Sequence, residues 1–143
     1  MKTIPIKFFK EEIKFRLADT DNLKYWILKI IKNKKYKLSE LNFIFCGDKF
    51  LRKINKKYLN HDYYTDIITF DNSITKEFIS GDIFISIDRV RINANTYKSS
   101  FNDELHRVIA HGVLHLLGYG DKSKDQKIEM KKMEDRCLMK RDF

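Results

Sequence analysis

The sequence predicts an α+β fold in which a small mixed β-sheet of about four strands packs against several α-helices. Short runs rich in β-branched and aromatic residues are interspersed with segments whose apolar residues recur at helical spacing. The chain has no repeats and no proline- or glycine-rich linker, and its 143 residues suit one hydrophobic core. We therefore expect a single domain over residues 1–143.

The N-terminal half predicts two strands and two helices. Residues 4–9 form the first strand, and residues 41–46 form a second, buried strand. Between them, the polar residues 19–22 supply capping side chains for a helix over residues 23–34. A second helix follows the buried strand, and its predicted inner face consists of Phe50, Leu51, Ile54 and Tyr58.

The next part of the chain predicts two strands and a third helix. Residues 66–70 and 82–87 form strands, and the polar residues 71–80 between them form a loop. Asp88 is the predicted cap of a helix over residues 89–97.

Two further helices complete the prediction. The fourth is capped by Asn102 or Asp103 and runs to about Leu117, and the last covers residues 129–139. The core side of the fourth helix is predicted to consist of Leu105, Ile109, Val113 and Leu116.

The net charge of the chain is 29 − 20 = +9. An excess of this size in a small domain favours a polyanionic partner, of which RNA or DNA is the main class. A lysine-rich surface that only keeps the protein in solution is the alternative. The basic C-terminal segment is likewise either a solvated helix face or a phosphate-binding surface.

Composition also bears on the compartment. No apolar run approaches the length of a membrane-spanning helix, and the N-terminus lacks the apolar segment of a signal peptide. Cys46 and Cys137 lie far apart without a CxxC spacing, which argues against a zinc site built on cysteines. We expect a cytoplasmic protein with no membrane partner, reduced cysteines and Cys46 in the core.

Two histidines of the fourth helix, His111 and His115, are four residues apart. This spacing puts both imidazoles on one helix face, where they can share a metal ion. Gly118 can turn the chain back, so that Asp121 can bring a carboxylate to the same ion. Two nitrogen ligands, one oxygen ligand and an open fourth position are typical of catalytic zinc. Ordinary core or surface histidines, with a capping or solvated Asp121, are the alternative.

The histidine spacing also occurs in the zincin motif H-E-x-x-H, whose glutamate acts as the general base. Gly112 occupies the glutamate position and has no side chain that could take a proton. A metalloprotease is therefore the least favoured interpretation. A glycine at this position also allows another segment of the chain to approach the helix closely.

Residues 55–66, which connect the second helix to the third strand, combine amide, imidazole, carboxylate, hydroxyl and aromatic groups. The combination suits a substrate-facing loop in which bases stack on aromatic side chains. A polar loop with turn hydrogen bonds from Asp62 and Thr65 is the alternative. The candidate substrate-binding residues are Lys56, Lys57, His61, Tyr63 and Tyr64.

Three segments match family signatures in a fixed order. Residues 55–70 are similar to N-x-x-Y-R-x-x-D-x-P-T-D-V-L-S-F, and residues 81–86 are similar to G-D-I-x-I-S. Residues 111–119, H-G-V-L-H-L-L-G-Y, are similar to the start of H-G-x-L-H-L-x-G-Y-D-H. From about Leu41 onward the chain thus resembles the YbeY endoribonuclease family.

The resemblance implies a metal-dependent, single-strand-specific endoribonuclease with one zinc ion (Zn²⁺) per chain. It implies a role in ribosomal RNA processing, notably maturation of the 3′ end of 16S ribosomal RNA, and in ribosome quality control. It also implies that the partners are ribosomal RNA, the small ribosomal subunit, and ribosomal proteins or GTPases. The metal ligands and catalytic residues that it implies are His111, His115 and Asp121.

Two positions depart from the family pattern. The family's third histidine falls at Asp121, which leaves three ligands but alters the charge and the metal preference of the site. The family's arginine falls at Leu59, which removes a cation expected near the RNA phosphate. His61 or a neighbouring lysine is a candidate to replace it. Leu59 favours the alternative function, a non-catalytic ribosome-associated RNA-binding factor with a structural metal.

Overall fold

The computed structural model describes residues 3–143 and contains, in that range, a four-stranded mixed sheet and five helices. The predicted α+β class is therefore confirmed. The elements in chain order are β1 (Ile6–Lys10), α1 (Thr20–Asn33), β2 (Lys37–Cys46), α2 (Asp48–Leu59), β3 (Ile67–Asp71), β4 (Phe78–Ser86), α3 (Ile87–Tyr97), α4 (Phe101–Leu116) and α5 (Lys124–Met139).

The strands lie in the order β1-β2-β4-β3. β1, β2 and β4 are parallel to one another, and β3 runs antiparallel to β4 at one edge of the sheet. In the centre of the sheet, Phe43 of β2 lies opposite Phe8 of β1 and Ile83 of β4. The outer edge of β3 has no strand partner among the described residues, and it borders the cleft described below.

Two apolar cores lie on opposite faces of the sheet, because successive side chains of a strand point to opposite faces. The larger core is formed with α1, α4 and α5, and in it Phe45 and Ile85 are fully buried. The smaller core lies under α2 and contains Cys46, Leu51 and Ile68. The predicted core side of α4 is confirmed, since all four of its residues are buried.

Gly112 lies where α4 packs closely against the sheet. A Cβ atom at this position would lie 2.8 Å from Cδ1 of Ile67 and 3.1 Å from two atoms of Ile83. The close approach expected from the sequence is therefore confirmed. Position 112 faces the sheet rather than solvent, so a side chain there could not serve as a base for hydrolysis.

Several elements begin earlier than predicted. β2 begins at Lys37 rather than at residue 41, and β4 begins at Phe78 rather than at residue 82. These added ends pair with each other across the two strands, a long-range contact that local periodicity does not reveal. The helices α1 and α5 also begin earlier, at Thr20 and Lys124.

Serine side chains cap α3 and α4. The hydroxyl groups of Ser86 and Ser100 each accept a hydrogen bond from the backbone amide three residues further on. The predicted caps, Asp88 for α3 and Asn102 or Asp103 for α4, lie inside the first turn and are wrong. Carboxylates at these positions are still favourable, because they face the positive end of the helix dipole.

The inner face of α2 differs from the prediction at its C-terminal end. Leu51 is buried as expected, but Tyr58 is 58% exposed. Asn55 takes the inner position and is buried, and its side-chain amide donates to the carbonyl oxygen of Tyr63. This hydrogen bond ties the end of α2 to the connection that follows it.

Both cysteines, Cys46 and Cys137, are free and buried. Burial raises the pKa of the Cys46 thiol to about 12, so this group is a neutral core side chain, as the sequence predicted. No helix within residues 3–143 has the length and apolarity to cross a membrane.

His106 is buried between α4 and the C-terminal residues. Its Nδ1 atom accepts a hydrogen bond of 2.7 Å from the guanidinium of Arg141. Burial and the neighbouring Arg141 charge lower the pKa of His106 from its usual 6.5 to about 4, although Asp103 and Asp19 act in the opposite direction. The imidazole is therefore neutral in the folded protein at pH 7.

The buried His106 predicts acid sensitivity. Between pH 6.5 and pH 4 the unfolded chain binds more protons at this residue than the folded chain. The free energy of unfolding should therefore fall as the pH decreases through this window. In a His106→Gln variant, which keeps an acceptor for Arg141 but cannot titrate, the decrease should be smaller. Urea denaturation at several pH values measures both; equal slopes for the two proteins would contradict the prediction.

Candidate metal site and cleft

Three side chains converge at the C-terminal end of α4. His111 and His115 lie one turn apart, and Gly118, with a φ of 99°, reverses the chain so that Asp121 returns toward them. The two Nε2 atoms are 2.9 Å apart. Each of these atoms is 3.3 Å from Oδ2 of Asp121. All three side chains that the sequence suggested as ligands are thus brought together.

The donor set of His111, His115 and Asp121 fits a divalent metal ion. Two imidazole nitrogens and one carboxylate oxygen are ligands of a kind found in catalytic zinc sites. Ligand atoms around a tetrahedral zinc ion, with bonds of about 2.0–2.1 Å, lie about 3.3 Å from one another. The two distances to Asp121 match this value, whereas the 2.9 Å between the two Nε2 atoms is shorter, so the imidazoles would move apart slightly around an ion. The three side chains are partly exposed, so an ion could be reached from solvent.

Glu134 of α5 fixes the first of the two histidines. His111 Nδ1 donates a hydrogen bond of 2.7 Å to its carboxylate. Burial opposes the charged imidazolium, but the contact with Glu134, together with the charges of Asp121 and Asp66, raises the pKa of His111. Sequence reasoning missed this contact, because Glu134 is 23 residues away and lies among other charged residues.

Asp66 is a third carboxylate that acts on His111. It lies just before β3 and lines the same cleft as His111. Burial raises its pKa, although the charge of His111 and a hydrogen bond from Asn93 lower it in part. The sequence offered a signal for this residue, since Asp66 lies within the motif of residues 55–70.

The three converging residues lie in a cleft of about 1310 Å³. This volume exceeds the range of about 300–1000 Å³ typical of small-molecule pockets and suits a polymer. Its walls are the edge of β3, one side of α4 and one side of α5, together with residues of α2 and α3. The basic side chains that line it are Arg107, Lys122, Lys127 and Lys131.

The candidate substrate-binding residues divide into two groups. His61 and Tyr63 line the cleft. Lys56, Lys57 and Tyr64 are not among the described residues that line it. The His61 and Tyr63 rings stack on each other, with centroids 5.2 Å apart, and Tyr63 is 54% exposed. This pair offers an aromatic surface at the cleft entrance.

Tyr64 has a different environment. The guanidinium carbons of Arg52 and Arg89 each lie 4.9 Å from the centroid of its ring. Arg52 also forms a salt bridge of 2.8 Å with Asp62. Because two cations already contact the ring, Tyr64 has less free surface for stacking than Tyr63.

Leu59, the residue at the family's arginine position, lies at the end of α2 and lines the cleft. The guanidinium of Arg107 lines the same cleft but is bound to Glu134 at 2.9 Å and to Asp135 at 2.6 Å. Arg107 is therefore held by two carboxylates. The cleft lysines are the cations that remain for phosphate groups.

The fold and the site define an α+β domain with a site that could hold a metal ion in the wall of a basic cleft, an arrangement suited to hydrolysis of a polyanion. A family model described as "Endoribonuclease YbeY" matches residues 6–142. The chain belongs to this family. The membership confirms the resemblance found in the sequence and the prediction of an enzyme of the endoribonuclease class.

Similar proteins cover most or all of the chain. The "Endoribonuclease YbeY" of Cytophaga hutchinsonii is 52% identical over 143 residues, 100% of both chains. The protein of the same name from Karelsulcia muelleri is 51% identical over 124 residues, 87% of both chains. The solution structure of TM1509 from Thermotoga maritima matches with a TM-score of 0.64 and 25% identity, over 94% of this chain and 89% of that one.

Proposed function

We propose that the protein is a zinc-dependent, single-strand-specific endoribonuclease that processes ribosomal RNA. The observation that carries the proposal is the convergence of His111, His115 and Asp121 in the wall of a basic cleft, in a chain that belongs to this family. Its proposed roles are maturation of the 3′ end of 16S ribosomal RNA and ribosome quality control. The small ribosomal subunit and its associated proteins or GTPases are the proposed partners, in the cytoplasm.

The proposed ligands of one zinc ion are His111, His115 and Asp121. A zinc ion held there would supply Lewis-acid polarisation of a phosphoryl oxygen and would lower the pKa of a coordinated water. The carboxylate of Asp121 in place of a third imidazole makes the ligand set more negative and harder, which also suits iron or manganese. The same three residues are the proposed catalytic residues, because they would hold the metal ion at the cleft wall.

The remaining cleft residues suit a flexible single strand. Lys122, Lys127 and Lys131 line the cleft and can pair with phosphate groups. The stacked rings of His61 and Tyr63 lie at the same cleft and can receive an unpaired base. A duplex holds its bases inside the helix, so this aromatic surface favours single-stranded RNA.

The proposed metal site predicts a graded response to substitution. His115→Ala and Asp121→Ala should each weaken zinc binding by more than about 100-fold, because each removes a ligand rather than an outer contact. Both variants should lose RNA cleavage. Asp121→His should retain zinc, because imidazole is also a zinc ligand. Titration of the metal-free protein with zinc, followed by cleavage of a single-stranded RNA, measures these effects.

His106→Gln is the matched control, since it alters a histidine of the same helix that points into the core. Its zinc affinity at pH 7 should equal that of the unmodified protein. Unchanged zinc occupancy in Asp121→Ala would refute the three-ligand site.

Leu59 allows the catalytic and non-catalytic functions to be separated. If cleavage is limited by the missing cation, Leu59→Arg should raise the rate by about 10-fold or more, because a guanidinium beside the cleft stabilises charge on the phosphate. Leu59→Gln, of similar size but neutral, is the control. Tight RNA binding without cleavage above a metal-stripped sample, in all three proteins, would instead support an RNA-binding factor with a structural metal.

The cleft lysines predict the salt dependence of RNA binding. Replacing Lys122, Lys127 and Lys131 by Gln should reduce the slope of log K against log salt concentration by up to about 2, since each phosphate contact with a single strand contributes about 0.7. The pair Lys29→Gln and Lys32→Gln on α1, away from the cleft, should leave the slope near its original value. The same decrease per replaced lysine in both variants would show that binding depends only on net charge.

A further inference from the structure

We propose that Glu134 and Arg107 form a relay that sets the tautomer of His111 and so prepares its Nε2 atom to bind the metal. The inference rests on the proposed role of His111 as a ligand. Glu134 and Arg107 would act as positioning residues, because they reach the metal only through the imidazole.

The relay begins at the imidazole of His111. A carboxylate oxygen can only accept a hydrogen bond, so the 2.7 Å contact between His111 Nδ1 and Glu134 Oε2 places a hydrogen on Nδ1. In the neutral ring, Nε2 then carries the lone pair. Nε2 is the atom that lies 3.3 Å from Asp121 and 2.9 Å from His115.

The second part of the relay holds the carboxylate itself. The other oxygen of Glu134 accepts a hydrogen bond of 2.9 Å from Arg107. Arg107 also bonds Asp135 at 2.6 Å, so its planar group is fixed between two neighbouring residues of α5. The Glu134 side chain is only 11% exposed. One of its oxygens accepts from the Arg107 guanidinium and the other accepts from the His111 imidazole.

The two histidines differ in this respect. The Nε2 atom of His115 contacts His111. Within residues 3–143, its Nδ1 atom has no hydrogen-bond partner. His111 is thus the ligand whose orientation the protein determines before the metal arrives. Outer contacts of this kind fix ring orientation and raise ligand basicity, and their loss costs about 10–100-fold in metal affinity.

The position of Arg107 gives the relay a specific signature. In a Glu134→Gln variant, Arg107 still requires an acceptor, so the side-chain oxygen of the glutamine should face the guanidinium. Its NH₂ group would then face His111 Nδ1 and donate to it. That contact favours the tautomer with hydrogen on Nε2. In this tautomer the Nε2 atom cannot bind a metal until the hydrogen is lost.

The first experiment is nitrogen-15 NMR of the metal-free protein at a pH above the raised pKa of His111, where the ring is neutral and its two tautomers give different correlation patterns. The original protein should carry hydrogen on Nδ1, and Glu134→Gln should carry it on Nε2. Glu129→Gln, the same chemical change at an exposed position of α5, is the control and should match the original protein.

The second experiment is zinc titration of the same proteins. Glu134→Gln should bind zinc about 10–100-fold more weakly. The double variant Glu134→Gln with Arg107→Gln should recover part of this loss, because the amide is then free to rotate and present its oxygen to His111. A purely structural role for the contact would make the second substitution add to the loss.

The tautomer measurement needs neither metal nor RNA, so its outcome is independent of the proposed nuclease function. The same tautomer in the original protein and in Glu134→Gln would overturn the relay, even if both proteins cleave RNA. Loss of zinc binding in Asp121→Ala without any change of the His111 tautomer would leave both the site and the relay in place. Retention of zinc in both His111→Ala and Asp121→Ala would overturn the ligand set and, with it, the metal-binding role of the relay.

Discussion

The close packing of α4 on the sheet is the constraint on which the site depends. Gly112 lies against Ile67 and Ile83, and a Cβ atom at this position would come within 2.8 Å of the Ile67 side chain. Because successive residues of an α-helix are about 100° apart, fixing residue 112 against the sheet fixes the direction of its neighbours. His111 and His115 consequently point along the side of the helix, into the cleft. The lack of a side chain at Gly112 therefore determines where the two imidazoles lie.

The features that could be predicted from the sequence are those encoded locally. The spacing of His111 and His115 predicted a shared helix face, and Gly118 predicted the reversal that returns Asp121. The larger apolar core followed from helical and strand periodicity, and the family motifs supplied the proposed substrate.

Features that depend on long-range contacts could not be predicted in this way. Glu134 lies in a charged segment where nothing distinguishes it from its neighbours, yet the packing of α5 on α4 makes it the partner of His111. Tyr64 belonged to a promising aromatic motif, but Arg52 and Arg89 come from two other parts of the chain and contact its ring. These contacts are set by tertiary packing rather than by spacing.

The distribution of charge differs between the chain as a whole and the surroundings of His111. The chain carries a net charge of +9, but the charges that act on His111 are the carboxylates of Asp66, Asp121 and Glu134. Arg107 compensates for part of this charge only, because its guanidinium is shared with Asp135. Lysines at the cleft attract RNA from a distance, whereas the carboxylates would repel its phosphates at close range. A divalent ion at the three converging atoms would reverse this sign. With leucine rather than arginine at position 59, that reversal would depend on the ion to a greater extent than with the arginine of the family pattern.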